Sequence, residues 1–433
     1  MPLGAADRLR RACAGQLRDL DAASAWAAVI LVGLAGNVNH AVRALLHPGV
    51  MRRFGVQSVL SGCRSVLMVA AAGGAAWSLL AEPLLAQSAG QPFAVLSPAL
   101  SDVFPNDTDS NSPAVWELVS GQWSLTLFNS VAGRPRASEG PSVRRLVSRG
   151  EVTYAGTPPE QGVWFESVVR EADAWYAFYH NERAGVVCPG SGKVWPRIGA
   201  ARSDDRGASW VDLGPVLETP ASSVICASTN HYFVGGGVGD LTVRLDPERQ
   251  YAYFYYSQYA EVERQVGVAV ARMAWADRDA PAGRVDVWVD GAWLPPSRAG
   301  ADADESSSDE VGWLYPVATP ILRSTNSWDD GRSGVDVFWG PSIHWNTSIN
   351  TWVMLVNQSV GDAFEQGGIW VSFNDRLDDP TGWSAPTRLL QGGQWYPQVI
   401  GLDPTVGTDA LAGGLSRFYM GGRSVHYITF GRR

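Results

Sequence analysis

Residues 239–258 have the sequence GDLTVRLDPERQYAYFYYSQ: a short strand, a polar turn and a strand rich in aromatic residues. A short strand joined by a tight turn to an alternating strand is typical of a β-hairpin. The pattern occurs five times along the chain, and a repeated hairpin indicates a repeat architecture. The copies lie at 112–130, 165–181, 239–258, 340–359 and 396–422.

Most copies of the hairpin are followed by two further strands. The third strand is rich in small residues, as in 197–205, and the fourth carries a tryptophan, as in 209–217. Four antiparallel strands per repeat describe a propeller blade. The sequence therefore predicts an all-β, five-bladed β-propeller in a domain at 87–433, in which 93–105 help to close the ring. A β-sandwich is the alternative fold, but it does not explain five copies of one hairpin.

The composition agrees with a chain of many strands and turns. The chain has 433 residues, enough for one large or two ordinary domains, and its 47 Gly, 26 Pro and 19 Trp suit an all-β protein. Most of the tryptophans are expected in the core, although a surplus of tryptophan also suits stacking on sugar rings. A net charge of -9 argues against a nucleic-acid partner.

The N-terminal part of the chain differs in composition from the rest. It is rich in Ala, Leu and Arg and contains two apolar runs, Ala25–Gly36 and Val66–Ala81. The second run follows arginines and precedes a small residue and a polar stretch, which is typical of a helical secretory signal peptide. We therefore predict an upstream extension at 1–50, a signal peptide or membrane anchor at 51–86, and a secreted or periplasmic protein. A two-helix membrane anchor is the alternative, but both runs are shorter than the roughly 20 residues that a span needs.

Cys188 and Cys226 are the only cysteines of the predicted mature chain. In an exported protein two cysteines predict one disulfide, and two separate buried thiols are the alternative. Neither cysteine lies in a CxxC or Cys/His cluster, so no zinc site is predicted. The acidic loop at 297–311 lacks the central glycine and the closing glutamate of a calcium loop, and neither a metal nor a cofactor is expected.

The starts of the innermost strands form the candidate site, because the innermost strands of all blades line the central channel of a propeller. Blades two and three contribute Glu166 and Asp240 there, and Asp109 lies just upstream of the first innermost strand. The fourth and fifth blades contribute aromatic, imidazole and amide groups: Trp339, His344, Trp395, Tyr396 and Gln398. Clustered carboxylates beside stacking and hydrogen-bonding groups are what glycoside hydrolysis needs, so the predicted partner is an oligo- or polysaccharide.

The five hairpins, with acids in blades one to three, resemble those of the five-bladed β-propeller glycosidases, the furanosidase-type enzymes of glycoside hydrolase families 43 and 32. The resemblance implies that Asp109 is the base or nucleophile. It also implies that Glu166 and Asp240 share two roles, those of proton donor and of the carboxylate that tunes the donor. Two motifs depart from family 43: Ser112 stands where that family has its first aspartate, and blade three has VGD in place of an EGP-type motif.

Two other functions remain open. Residues 203–210, SDDRGASW, match the Asp box of sialidase-type propellers, in which Asp205 is expected to cap its own turn. A sialidase also needs an arginine triad, and the candidates are Arg183, Arg197, Arg244, Arg417 and Arg423. A single clear Asp box and five rather than six repeats speak against this function. A non-catalytic propeller that binds polysaccharide or protein would pair Glu166 with an arginine such as Arg197 or Arg423.

Overall fold

The computed structural model describes most of the chain after residue 89. The described residues are 90–184, 188–190, 192–224, 226, 236–260, 265–298, 312–323, 335–361 and 364–433. The predicted extension, the signal peptide or anchor and nearly all of the acidic loop at 297–311 lie outside the described residues. Within the described part, no helix is both long and apolar enough to cross a membrane.

Within the described residues, five sheets of four or more strands, almost all of them antiparallel, follow one another along the chain, which confirms the prediction of an all-β, five-bladed propeller. Strand β1 (Pro92–Val103) comes before the first blade. Blade 1 contains β2–β5, at Ala114–Val119, Gln122–Val131, Arg134–Gly140 and Val147–Glu151. Blade 2 contains β6–β10, at Thr153–Tyr154, Gly162–Arg170, Trp175–Ala184, Val194–Ser203 and Ser209–Leu217. Blade 3 contains β11–β15, at Gly237–Leu245, Tyr251–Tyr259, Gly267–Ala274, Val285–Val289 and Ala292–Leu294.

The later strands complete the ring. Three short strands, β16–β18, follow blade 3 in the sequence, at Ser297–Arg298, Trp313–Leu314 and Leu322–Arg323. Strands β16 and β17 pair with each other, and β18 pairs with β13 of blade 3. Blade 4 contains β19–β22, at Val335–Asn346, Thr351–Gly361, Glu365–Asn374 and Thr387–Gln391. The last blade contains β23 (Pro397–Gly401) and β25–β26, at Leu415–Met420 and Arg423–Arg432, while β24 (Leu411–Ala412) pairs with β19. Short 3-10 helices occur at Val143–Arg145, Ala221–Ser223 and Trp275–Asp277.

The N-terminal strand closes the ring. Strand β1 pairs antiparallel with the last strand, β26, with Phe93 opposite Gly431 and Val95 opposite Thr429. The fifth blade is therefore built from both ends of the propeller, in the order β1-β26-β25-β23. This pairing confirms the prediction that residues 93–105 help to close the ring.

The hydrophobic core lies between neighbouring blades, as the aromatic strand β12 shows. Phe254 and Tyr256 pack in one cluster with Phe178 of blade 2. Tyr253 and Tyr255 point to the opposite face and pack in a second cluster with Met354 of blade 4. Both faces of the strand are buried, so apolar residues follow one another without polar ones between them.

The loop 203–210 is a hairpin turn between β9 and β10. The Oδ1 atom of Asp205 accepts hydrogen bonds from the Ser203 hydroxyl at 2.8 Å and from the Ser209 backbone N–H at 2.8 Å. Asp205 therefore caps its own turn, as the sequence predicts, and the Asp box is a structural feature here.

Cys188 and Cys226 form the predicted disulfide, with their Cα atoms 5.2 Å apart. The bond links the segment after β8 to the segment after β10, across 38 residues of sequence. We expect replacement of both cysteines by serine to lower the free energy of unfolding by about 2–4 kcal/mol, because the crosslink restricts the unfolded chain. Urea unfolding of the oxidised wild type and of the double variant measures this change. An equal urea midpoint for the two proteins would contradict the expectation, and the reduced wild type is the control.

Candidate active site

Bulges in three innermost strands form the base of the site. In β7 the pairing register shifts between Phe165 and Ser167, so Glu166 is the extra residue. In β11 the pairing register shifts between Gly239 and Leu241, so Asp240 is the extra residue. The pairing register of β19 also shifts, between Trp339 and Ser342. A bulge leaves one residue unpaired and turns its side chain away from the regular alternation. The two carboxylates at these bulges lie close together, with one oxygen of Glu166 and one of Asp240 within 4.8 Å of each other.

Glu166 is held deep in the protein interior. Its side chain is 1% exposed, and its Oε2 atom accepts a hydrogen bond from the backbone N–H of Asn111 at 2.9 Å. Its Oε1 atom has no hydrogen-bond partner among the described residues. Burial and the neighbouring charges of Asp240 and Asp109 raise the pKa of Glu166 well above its ordinary value, although the hydrogen bonds from Asn111 oppose this shift.

Asn111 was not anticipated from the sequence. Its side-chain amide donates to the backbone oxygens of Leu241 at 3.0 Å and Pro341 at 3.1 Å, while its backbone holds Glu166. One residue of the loop before β2 therefore connects blades 2, 3 and 4. A short polar loop between two strands, DSNS at 109–112, was the only signal in the sequence.

Asp240 lies between two tyrosines. Its Oδ2 atom accepts a hydrogen bond from the hydroxyl of Tyr259 at 2.6 Å, and its Oδ1 atom accepts one from Tyr396 at 3.1 Å. The backbone of Asp240 has a φ of 41°, and that of Tyr396 has a φ of 57°. Such conformations are uncommon for residues other than glycine and concentrate at functional sites.

His180 connects Asp240 with a further carboxylate, Glu182. Its Nδ1 atom accepts a hydrogen bond from the backbone N–H of Asp240 at 3.3 Å and lies 3.7 Å from Asp240 Oδ1. Its Nε2 atom lies 3.7 Å from Glu182 Oε1. Burial lowers the pKa of His180, but the carboxylates of Asp240, Glu182 and Asp109 raise it by more. Gly239 leaves room for the ring, since a Cβ atom there would lie 2.8 Å from it.

Asp109 reaches the site from the loop between β1 and β2. Its backbone N–H donates to Ser130 O at 2.7 Å. Burial and the charge of Asp240 raise its pKa, which the charge of His180 opposes. Ser112, at the position of the family's first aspartate, is fully buried, and its hydroxyl accepts a hydrogen bond from Asn129 at 3.0 Å. In this chain Asp109, and not the residue before Pro113, therefore reaches the pocket.

Asp109, His180 and Asp240 line a partly open pocket of about 140 Å³. Its carboxylates are Asp109, Glu182 and Asp240, beside His180. Its aromatic residues are Trp164, Tyr259, Trp339, Phe364, Trp395 and Tyr396. The rings of Trp339 and Trp395 lie 4.9 Å apart. The volume is small beside the roughly 300–1,000 Å³ of sites for drug-sized ligands.

The structure places two of the expected substrate-binding residues outside this pocket. His344 is fully buried against Phe430, and burial together with the charge of Arg244 lowers its pKa to about 3. Gln398 is also buried, and its amide exchanges two hydrogen bonds with the backbone of Ser112, at 2.7 and 3.0 Å. Both side chains face the interior because each fills the junction between its innermost strand and a neighbouring blade.

Three of the central side chains can supply ligand atoms to a cation. One atom each of Glu166, His180 and Asp240 lies within 4.8 Å of the other two. The set contains two oxygens and one nitrogen, which suits several divalent metals equally well. The absence of a metal therefore stays a prediction, and a chelator belongs among the controls of any assay.

Glu166→Gln is expected to stabilise the protein at neutral and alkaline pH. The folded-state pKa of Glu166 is raised, so its stabilising effect is complete below the pKa of the unfolded chain and is lost as the pH rises through the folded-state pKa. The glutamine variant does not titrate. Its Tm should exceed that of the wild type by about 2 °C or more at pH 8, and the difference should shrink towards pH 4. Thermal scans at both pH values measure this, with the exposed Glu160→Gln variant as control. An equal or lower Tm of Glu166→Gln at pH 8 would contradict the raised pKa.

Comparison with known proteins gives a likeness to solved structures only. No protein-family model and no curated protein sequence matches the chain. An endo-arabinase from Bacteroides thetaiotaomicron is 12% identical, with a TM-score of 0.43 over 76% of this chain and 96% of its own. A mutant α-L-arabinanase from Cellvibrio cellulosa is 10% identical, with a TM-score of 0.41 over 76% of this chain and 92% of its own. A family 117 glycoside hydrolase from Zobellia galactanivorans is 9% identical, with a TM-score of 0.41 over 78% and 91%. The five-bladed architecture itself follows from the strand pairing of this chain.

Proposed function

We propose that the protein is a glycoside hydrolase that removes one terminal sugar unit from an oligo- or polysaccharide. The observation that carries this proposal is the pocket, which three carboxylates and six aromatic side chains line. Its volume of about 140 Å³ favours a small ligand such as a single sugar unit. Aromatic rings stack on the apolar faces of sugars, and paired carboxylates supply the acid and base of glycoside hydrolysis.

Asp240 and Asp109 are proposed as the catalytic pair, because both line the pocket and can reach a bound glycoside. In the proposal Asp240 protonates the leaving-group oxygen. Asp109 acts on the sugar carbon, either as nucleophile or through a water molecule, in agreement with the family resemblance.

Glu166 is proposed as a positioning residue that acts through Asp240. It is buried behind the pocket and is not one of its lining residues. Closest atoms of Glu166 and Asp240 lie within 4.8 Å, and two carboxylates this close disfavour simultaneous ionisation. The pKa of Glu166 is the one that is raised, so a neutral Glu166 leaves the pair with at most one negative charge.

The two alternative functions have less support. A sialidase would place arginines around the pocket, but Arg183 and Arg197 pair with Glu218 at 3.0 and 3.6 Å, and Arg244 pairs with Asp409. A non-catalytic propeller would neutralise its carboxylates with arginine. Among the described residues, Asp109, Glu166 and Asp240 form no ion pair with arginine or lysine.

Export from the cytoplasm is proposed as well. The disulfide between Cys188 and Cys226 supports it, because such bonds persist in oxidising compartments. Fractionation of cells that express the full chain tests this proposal, and retention in the cytoplasm would contradict it.

A substrate screen tests the hydrolase proposal. The full chain is assayed against aryl furanosides, aryl pyranosides and aryl sialosides, with and without EDTA. Hydrolysis of one furanoside or pyranoside series supports the proposal, whereas hydrolysis of the sialosides alone would replace it with the sialidase alternative. Glycan binding without hydrolysis of any series would favour the binding propeller.

A further inference from the structure

The pocket holds one carboxylate more than hydrolysis needs. With Asp240 and Asp109 as the catalytic pair and Glu166 behind them, Glu182 has no part in the reaction. It lies at the end of β8, opposite Gly162 in the register, and its side chain is 21% exposed towards the pocket. Its ion-pair partner among the described residues is His180, at 3.7 Å.

His180 gives an independent indication that a ligand completes this wall. The side chain is 6% exposed and lines the pocket, yet its Nε2 atom has no hydrogen-bond partner among the described residues. Its ring is fixed against Trp164, with ring centroids 5.4 Å apart. A buried polar atom without a partner, in a side chain that lines a pocket, is normally paired by a ligand or by water.

The aromatic residues of the pocket favour a positive charge. Trp339, Trp395 and Phe364, here called the aromatic wall, line the same pocket as the carboxylates, with the ring centroids of Phe364 and Trp395 5.6 and 4.9 Å from that of Trp339. Aromatic faces attract cations, and carboxylates with few cationic partners do so more strongly in a partly desolvated site.

We propose that the sugar taken by this pocket carries a protonated amino group, and that Glu182 is the residue that recognises it. The ammonium group pairs with Glu182 and lies against the aromatic wall, while a hydroxyl of the same sugar accepts the hydrogen bond of His180 Nε2. This inference rests on the proposed function for the choice of a sugar, but not on catalysis. It predicts that a carboxylated sugar is rejected, because Asp109, Glu182 and Asp240 repel it.

Binding by calorimetry tests the proposal without the need for turnover. Three sets of methyl glycosides are titrated into the full chain: 2-amino-2-deoxyhexosides, the matching neutral hexosides and the matching hexuronides. Each set contains the gluco, galacto and manno sugars. In the configuration that binds, the amino sugar should bind about tenfold more tightly than the neutral sugar. The uronide should bind most weakly. The preference should shrink at high salt, because salt screens the charge pair.

Glu182→Gln keeps the shape and removes the charge. We expect it to lose most of the tenfold preference while neutral-sugar binding changes less than about threefold. The exposed Glu160→Gln, on the same blade, is the matched control and should keep the preference. Equal binding of amino and neutral sugars by the wild type, no binding of any probe, or an unchanged preference in Glu182→Gln would overturn the proposal.

The two proposals fail in different ways. If the amino sugars bind preferentially but no aryl glycoside is hydrolysed, the specificity of Glu182 stands and the hydrolase function falls. If neutral aryl glycosides are hydrolysed and amino sugars show no advantage in binding, the hydrolase function stands and this inference falls.

Discussion

Asp240→Asn is expected to lower kcat for a glycoside with a poor leaving group by about 10³-fold, with little change in KM. The asparagine can still accept a hydrogen bond from Tyr259 or Tyr396, so the pocket should keep its shape. It cannot donate the proton that an alkoxide leaving group needs. For an aryl glycoside whose leaving group departs without protonation, the loss should be far smaller. Steady-state kinetics on a leaving-group series measures the difference.

Asp107→Asn is the matched control for this experiment. Asp107 is exposed, lies two residues from Asp109 and does not line the pocket. Its replacement should leave kcat and KM unchanged. If Asp240→Asn lowers kcat equally for good and poor leaving groups, Asp240 is not the proton donor, and the assignment of roles to Asp240 and Glu166 has to be exchanged or abandoned.

The sequence was a good guide to the fold because the repeat is made of local patterns. Each predicted hairpin is present, from β2–β3 to β23–β25. The all-aromatic part of β12 was interpreted as half of a hairpin, and the structure explains its composition by burial on both faces. Which blade each face of the strand packs against depends on the order of the blades around the propeller, and no local sequence pattern encodes that order.

The sequence indicated the carboxylates of this cluster better than the side chains around them. Glu166 and Asp240 were found at the starts of innermost strands, where all blades converge. Glu182 and Tyr259 were missed, although antiparallel pairing brings the end of each second strand beside the start of its neighbour. Glu182 lies opposite Gly162, and Tyr259 lies opposite Gly237. Extending the alignment of the five repeats to the ends of the second strands would have found both residues.

The orientation of the side chains could not be predicted. His344 and Gln398 lie on innermost strands, as expected, but the pairing register directs both side chains into the interior. In β19 the register shifts between Trp339 and Ser342, so every later residue of the strand changes its expected face. The sequence GPS at 340–342 permits such a bulge but does not require it.

Asp409→Ala is expected to lower the free energy of unfolding by about 3–5 kcal/mol, because it leaves a buried arginine without its counter-charge. Arg244 and Asp409 pair at 2.7 Å, with side chains 6% and 9% exposed. Arg244 also donates to Ile343 O at 2.5 Å, and Asp409 accepts from the backbone N–H of Ala114 at 2.8 Å. The pair therefore joins blades 1, 3, 4 and 5. Urea unfolding followed by tryptophan fluorescence measures the change.

The loss of stability in Asp409→Ala should come from the unpaired charge of Arg244 and not from the lost attraction between the two side chains. Two further variants separate these causes. Glu151→Ala removes the exposed partner of Arg136, at 3.4 Å, and should cost less than about 1 kcal/mol. Replacing Arg244 and Asp409 together by leucine removes both charges and should recover a large part of the stability that Asp409→Ala loses. If the double variant is no more stable than Asp409→Ala, the hydrogen bonds from Arg244 to the blade carbonyls, and not its charge balance, hold the blades together at this junction.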